Sequence, residues 1–327
     1  MQLRTVLHVG FSHSGTTSLR KNLLERHDEL FYCGQPYGER GGIFSDIKYK
    51  PDYPLYDRAM IEQLCRGYIF EQASRHQSVT VSGETIVDQP EIYYTPSMLP
   101  VRTIAERLRS LFPDADILFT TRNQLDYVVS SYLNLKRNYA LLAQRPIESF
   151  DRWFEGNHTQ VANLFLRNLD YSQAIRTYID VFGRDSVFVI PLELLLHDGV
   201  REYLDRLGSF LKIDIRDDDI ANYCAVWNRR MTTLEDAFIG ATCEEPRFRE
   251  LYDVFMANTN GAEAMNASAP SPVSLSASQI ATIRERVATG NAFIAREFGL
   301  PLATFGYPMT ACRQRARTLT LAKAFHS

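Results

Sequence analysis

Cysteine is scarce and scattered. There are five, Cys33, Cys65, Cys224, Cys243 and Cys312, in 327 residues. The number is odd, the gaps are wide and no C-x-x-C pair occurs. That argues against a disulfide framework and against clustered zinc ligands, and fits reduced thiols in a cytoplasmic protein. No apolar run reaches 18 residues, so no membrane span is expected. The apolar opening "LRTVLHVGF" is too short and too early for a signal peptide. Neither sign of charge is in excess: 36 Lys and Arg stand against 39 Asp and Glu, a net charge of −3. Bulk attraction to nucleic acid or to an anionic membrane is therefore not expected, and a small anionic ligand would have to be met by local positive charge. Internal repeats are absent as well.

What is present is an ordinary globular composition, 45% hydrophobic and 23% charged, long enough for a sizeable core. "TVLHVGF" (5–11) is β-branched and apolar and ends at a glycine, so it reads as a buried strand. "TTSLRKNLLERH" (16–27) carries leucines at helical spacing. Further strands are expected at 78–84, 115–122 and 186–196. Helices are expected at 101–112, 125–137, 161–182 and 199–211, the third ending before Gly183. Strands alternating with helices mean an α/β fold: a central, mostly parallel sheet flanked by helices, in a single domain over 1–327. The stretch 257–278 is poor in large apolar residues, carries Pro270 and Pro272, and reads as a flexible loop. Ser276 with Gln279 looks like a capping box that opens a helix to about Phe298, within a helical C-terminal extension over 276–327.

The stretch "HVGFSHSGTTSLRKNLL" (8–24) is a P-loop-like strand–loop–helix. Gly10 to Thr17 has the spacing G-x-x-x-x-G, but Thr16 occupies the place of the lysine that nucleotide-hydrolysing enzymes keep. The physics of an anion loop survives that exchange. Gly15 permits a close backbone approach, the N–H groups of a helix start point at the anion, and Ser14, Thr16, Thr17 and Ser18 add hydroxyl donors. A fixed cation for a β/γ-phosphate pair is lost, which disfavours an ATPase, a GTPase or a P-loop kinase. The plainer reading is a strand–turn–helix whose hydroxyls only cap the helix.

A second motif, "FTTRNQLDYVVSSYLNL", puts Arg122 at a strand end and Ser130 eight residues later on the following helix. The planar guanidinium suits phosphate oxygens. On its own, an arginine after a strand is more often a cap or a solvated charge.

Together the two motifs resemble those of the 3′-phosphoadenosine-5′-phosphosulfate (PAPS)-dependent sulfotransferases. That family has a 5′-phosphosulfate loop P-K-[ST]-G-T-T after its first strand and a 3′-phosphate motif R-[ND]-P-x-[DE]-x-x-x-S-x-Y. Here they stand as Ser12-His13-Ser14-Gly15-Thr16-Thr17 and as Arg122 to Tyr132. "GET" (83–85) is similar to the family's G-E-K-[ST]-P segment. "VFVIPLELLL" and "YLDRLGSFLKI" are similar to its later strand and helix. The likeness runs in order over about residues 4 to 215; residues 33–75 and 235–327 have no match. Four positions depart from the pattern: Ser12 and Gln124 replace prolines, Thr85 replaces a lysine, and His13 replaces the lysine that contacts the leaving oxygen.

The resemblance implies transfer of a sulfuryl group from PAPS to a hydroxyl or amine, with 3′,5′-ADP as product and no metal. Ser14, Gly15, Thr16, Thr17 and Ser18 would hold the 5′ end, and Arg122 and Ser130 the 3′-phosphate. Arg229 and Arg230 in "WNRRMTT" fall near the family's basic loop. Glu84 would be the base and His13 the group that steadies the leaving phosphate. Asp88 is the alternative base and His158 a third candidate. The match at Glu84 points to a carbohydrate hydroxyl, with a small natural product next. Tyr-, Phe- and Arg-rich stretches at 31–57 and 136–157 are candidates to face the acceptor. The basic stretch 312–323 is either a solvated tail or a weak peripheral contact to an anionic lipid or glycan. A nucleotide-binding relative without catalysis is the non-enzyme alternative, and oligomerisation stays open.

Overall fold

Among the described residues five short strands form one parallel sheet in the order β2-β3-β1-β4-β5. They are β1 (Arg4–His8), β2 (Leu30–Gly34), β3 (Ser78–Ser82), β4 (Asp116–Thr121) and β5 (Val187–Pro191). The computed structural model describes residues 4–34, 43–50, 56–65, 67, 69, 78–82, 99–159, 169–223, 231–257 and 269–310. β1 is buried from Thr5 to His8 and β4 from Ile117 to Thr121. Continuous burial is what a parallel sheet with helices on both faces requires, and it explains why these strands read as apolar runs without alternation.

The helices that place the site are α1 (Thr16–Leu19), α2 (Ile43–Tyr49), α3 (Arg58–Cys65), α4 (Val101–Leu111), α5 (Gln124–Ala143), α6 (Phe150–Thr159), α7 (Tyr171–Phe182), α8 (Leu192–His197) and α9 (Gly199–Leu211). α1 continues without a break into a π-helical turn, Arg20–Leu24, closed by Glu25 N–H to the Arg20 carbonyl at 2.9 Å. α7 ends at Gly183 with φ 93°, as its glycine suggested. The capping box at Ser276 and Gln279 is present and opens the helix Ala277–Phe298, which stops at the left-handed Gly299.

Three expectations are corrected. The strand expected over 186–196 ends at Pro191, and Leu192–His197 is helical. A mostly apolar run of eleven residues hides the change from strand to helix, because its leucines continue past Pro191 without a turn signal. β2 went unread, its "LFYCG" being short and placed at the sheet edge. The C-terminal extension is not helical throughout. After Gly299 the segment to Thr310 runs as turns and irregular chain, with Pro301 and Pro308 unable to supply helical N–H donors.

The larger core lies around the sheet. A second one joins α5 and α6 to the helices Thr233–Thr242, Phe248–Ala257 and Ala277–Phe298. No described helix is long and apolar enough to cross a membrane. Cys33, Cys65 and Cys243 are buried free thiols; Cys224 and Cys312 lie outside the described residues.

Candidate functional site

β1 is flanked by β3 and β4, so the chain crosses the sheet between β3 and β4 and turns away on opposite sides after β1 and after β4. In open α/β sheets the crevice at the carboxyl ends of such strands receives ligands. Both sequence motifs open onto it: residues 11–18 follow β1, and residues 122–130 follow β4.

The approach of the two strand ends depends on Gly10. A β-carbon there would lie 2.2 Å from Thr120 Oγ1 and 2.8 Å from His8 Nε2. In the room it leaves, His8 Nε2 meets Thr120 Oγ1 at 3.2 Å, and Thr120 Oγ1 meets Ser14 Oγ at 2.8 Å. Ser14 donates its proton to the Phe11 carbonyl. Proton counting then orients the chain. Ser14 must accept from Thr120, whose single proton is thereby used, so Thr120 accepts from His8 Nε2–H. Burial holds the His8 pKa down to about 4, so the ring is neutral at pH 7. The Ser14 hydroxyl thus faces inward and shapes the loop.

His13 and Gly15 both take the left-handed backbone conformation, at φ 58° and 81°. At Gly15 a β-carbon would come within 2.7 Å of Leu192 Cδ1 on α8, so the loop leans on that helix. Gly15 is the N-cap of α1, and no side chain caps that helix end. Thr16 is buried; Thr17 and Ser18 are half-buried.

Arg122 leaves β4 toward this loop. Its Nη1 donates to the His13 carbonyl at 3.1 Å, and its own carbonyl accepts from the Tyr171 hydroxyl at 2.9 Å. The His13 ring packs against the Tyr127 ring on α5 at 5.7 Å between centroids. The Ser12 and Tyr127 hydroxyls are 3.1 Å apart. Burial and the neighbouring Arg122 charge lower the His13 pKa to about 4. Among the protein's own groups His13 is therefore neutral at pH 7, so an imidazolium there depends on a bound anion.

Behind Arg122 the motif is tied down by residues that sequence reasoning missed. Asn123 N-caps α5 by accepting from Leu125 N–H. Its own N–H donates to Glu193 Oε1 at 2.8 Å, and its side chain donates to the Phe305 carbonyl at 3.2 Å. Glu193 is 5% exposed, and its other oxygen accepts from the Tyr307 hydroxyl at 2.9 Å. Burial raises its pKa, while the Asn123 and Tyr307 donors oppose that. Glu193 was findable: it is the one charged residue in "VFVIPLELLL", and a carboxylate in such a run needs donors. Gln124, which stands where the resembled pattern has proline, is fully buried. It pairs with Asn291 in both directions, at 2.8 and 3.1 Å, and Asn291 donates on to the Pro308 carbonyl. That departure fastens the start of α5 to the C-terminal segment.

The fold therefore brings together residues 12–18 and Arg122. Ser130, half-buried, lies about 10 Å along α5 from its cap. Arg20 and Lys21, one turn into the helix, are held by Glu25 at 3.5 and 2.9 Å. Of the stretch 136–157, Arg137 is clasped by the buried Glu235, and Phe150, Trp153 and Phe154 are core residues, so they are not an acceptor surface. Glu84, Asp88, Arg229 and Arg230 lie outside the described residues, as do the His158 side chain and the stretch 312–323. Among the described residues no group of three or more His, Cys, Asp or Glu is placed to hold a metal ion.

No protein-family model matches this chain, and no curated protein does. Among solved structures the chain is similar to a sulfotransferase from Alicyclobacillus acidocaldarius, at 21% identity and a TM-score of 0.44 over 82% of this chain and 95% of that one. It is also similar to mouse sulfotransferase SULT7A1 complexed with PAP, at 13% identity and a TM-score of 0.38 over 82% of this chain and 89% of that one.

Proposed function

We propose that the protein is a sulfotransferase that moves the sulfuryl group of PAPS to an acceptor hydroxyl, on a carbohydrate. The observation that carries this reading is the meeting of the two motifs over one crevice, with Arg122 donating to the His13 carbonyl. Two phosphate-type motifs, far apart in sequence, lie at the adjacent ends of β1 and β4.

In this reading the backbone of Ser14 to Ser18, with the Thr16, Thr17 and Ser18 hydroxyls, holds the 5′ end of the nucleotide. Arg122 and Ser130, with Arg229 and Arg230, serve the 3′-phosphate. The sulfur–oxygen bond to the 5′-phosphate breaks as the bond to the acceptor oxygen forms. Glu84, two residues beyond β3, takes the acceptor proton. His13 donates to the departing phosphate oxygen. Bound phosphates would offset the Arg122 charge and draw the ring toward imidazolium. The demand is positioning and charge stabilisation, and no metal is needed for it.

Thermal shift tests the binding half. 3′,5′-ADP without Mg²⁺ should stabilise the protein more than AMP or ATP does at equal concentration, and at a hundredfold excess over its Kd should add about 2.7 kcal/mol to the ligand-free stability. Equal shifts with AMP would overturn the two-subsite site. PAPS consumption against glycan and small-molecule acceptors tests the chemistry, and Glu84→Gln should lower turnover by about 10² to 10⁴ while sparing 3′,5′-ADP binding.

A further inference from the structure

His13 is a side chain of short reach placed where the resembled family keeps a long flexible cation. An imidazole has only two side-chain torsions, so its N–H direction depends on the backbone and on what surrounds the ring. The backbone here is unusual: φ 58° at a non-glycine residue costs roughly 1–2 kcal/mol and persists only where neighbours fix it.

Three contacts surround that residue. Arg122 Nη1 holds the His13 carbonyl at 3.1 Å. The Tyr127 ring lies against the imidazole, steeply inclined at 67° with centroids 5.7 Å apart. The Tyr127 hydroxyl meets Ser12 Oγ, one residue before His13, at 3.1 Å. Tyr127 is itself immobilised. It is 4% exposed on the second turn of α5 and packs against Tyr171, whose hydroxyl holds the Arg122 carbonyl. One aromatic side chain thus touches both the ring of His13 and the residue that precedes it. Tyr127 stands at an unspecified position of the pattern R-[ND]-P-x-[DE]-x-x-x-S-x-Y, and Ser12 stands where that family has proline.

We propose that Tyr127 is a positioning residue for His13: its ring fixes the direction of the imidazole, and its hydroxyl, through Ser12, fixes the loop in place of the missing proline. This rests on the sulfotransferase reading for its catalytic consequence, but not for its structural one. The ring also keeps water from one side of the imidazole, and so shares in the desolvation that, with the Arg122 charge, holds His13 neutral. Among the described residues Arg122, between β4 and α5, is the charged group that faces His13, and Tyr127, on α5, is the titratable one.

The test uses Tyr127→Leu, which removes the ring, together with Tyr127→Phe and Ser12→Ala, which remove the same hydrogen bond from its two ends. The readouts are the NMR titration of the His13 imidazole without ligand, assigned against His13→Lys, and kcat and KM for PAPS in the His13 and His13→Lys backgrounds. Tyr127→Leu should move the imidazole pKa up from about 4 toward 6.5. It should lower kcat by about ten- to a hundredfold with KM little changed, as small misplacements do, and should have less than about a twofold effect once residue 13 is lysine. Tyr127→Phe and Ser12→Ala should each move the His13 titration the same way, and their double variant should cost less than the sum of the two. If Tyr127→Leu does not fold, the shared effect of those two milder variants on the His13 titration decides. An unmoved titration, or an equal kcat loss in both backgrounds, would make Tyr127 a core residue only and overturn the proposal. If the wild-type protein consumes no PAPS, the functional reading fails, while the titration and the Ser12–Tyr127 cycle still decide the positioning role.

Discussion

Arg122 Nη1 donates to the main-chain carbonyl of His13 at 3.1 Å, across 109 residues of sequence. That bond joins the loop after β1 to the start of α5, and with it the two halves of the site. The guanidinium has five donors, so one bond to the loop leaves the fork with capacity for an anion.

The first prediction concerns that arginine. If Arg122 reaches a 3′-phosphate, Arg122→Ala should cost roughly 1.5–3 kcal/mol in affinity for 3′,5′-ADP and much less for AMP. Calorimetric titration of both ligands checks this. Equal losses would mean that Arg122 acts only through the His13 carbonyl.

Gly10 carries a steric prediction. Its Cβ position lies 2.2 Å from Thr120 Oγ1, and the Thr120 main-chain nitrogen is also close, at 3.1 Å. Gly10→Ala must therefore separate the ends of β1 and β4, at a cost of roughly 1–3 kcal/mol for overpacking. It should also release Ser14 from Thr120. Urea unfolding of the variant gives the number, and unchanged stability would mean that the two strand ends are not so tightly apposed.

His8 makes stability depend on pH. Its pKa falls from 6.5 unfolded to about 4 folded, so between those values the unfolded chain binds more protons. Stability is then full above pH 6.5 and is lost as pH falls toward 4, by about 3 kcal/mol from this group. Glutamine can place a donor near the Nε2 position and does not titrate. His8→Gln should therefore flatten the unfolding free energy between pH 6.5 and 4 by about that amount. A parallel pair of curves would show that His8 is already accessible to protons in the folded protein.

The buried amide pair Gln124 and Asn291 should be coupled. Either single change to alanine strands a partner's polar group, at about 1–3 kcal/mol. The double variant should cost clearly less than the sum, with a coupling of about 0.5–3 kcal/mol. Strict additivity would mean that each amide is satisfied without the other.

Much of this was legible in the sequence, for a local reason. Buried parallel strands are apolar throughout, glycines mark where the chain must turn or approach closely, and a capping box is contained in four residues. β1, β4, α4, α9 and the Ser276 cap could therefore be read from neighbours in sequence, and so could the anion-loop pattern at 10–17 and Arg122 at a strand end. The exchange of proline for Gln124 was visible too, but as a departure without a cause.

The rest depends on contacts that only folding makes. Asn291, 167 residues away, gives Gln124 its purpose. The donors that Glu193 needs come from Asn123 and from Tyr307, which packs back from beyond the helix Ala277–Phe298. That Ser14 faces inward follows from Thr120 on the neighbouring strand. Above all, sequence could say that a histidine stands in the loop, but not which charge it carries. That is decided by burial and by the Arg122 charge beside it, two quantities that exist only once the ends of β1 and β4 are brought together.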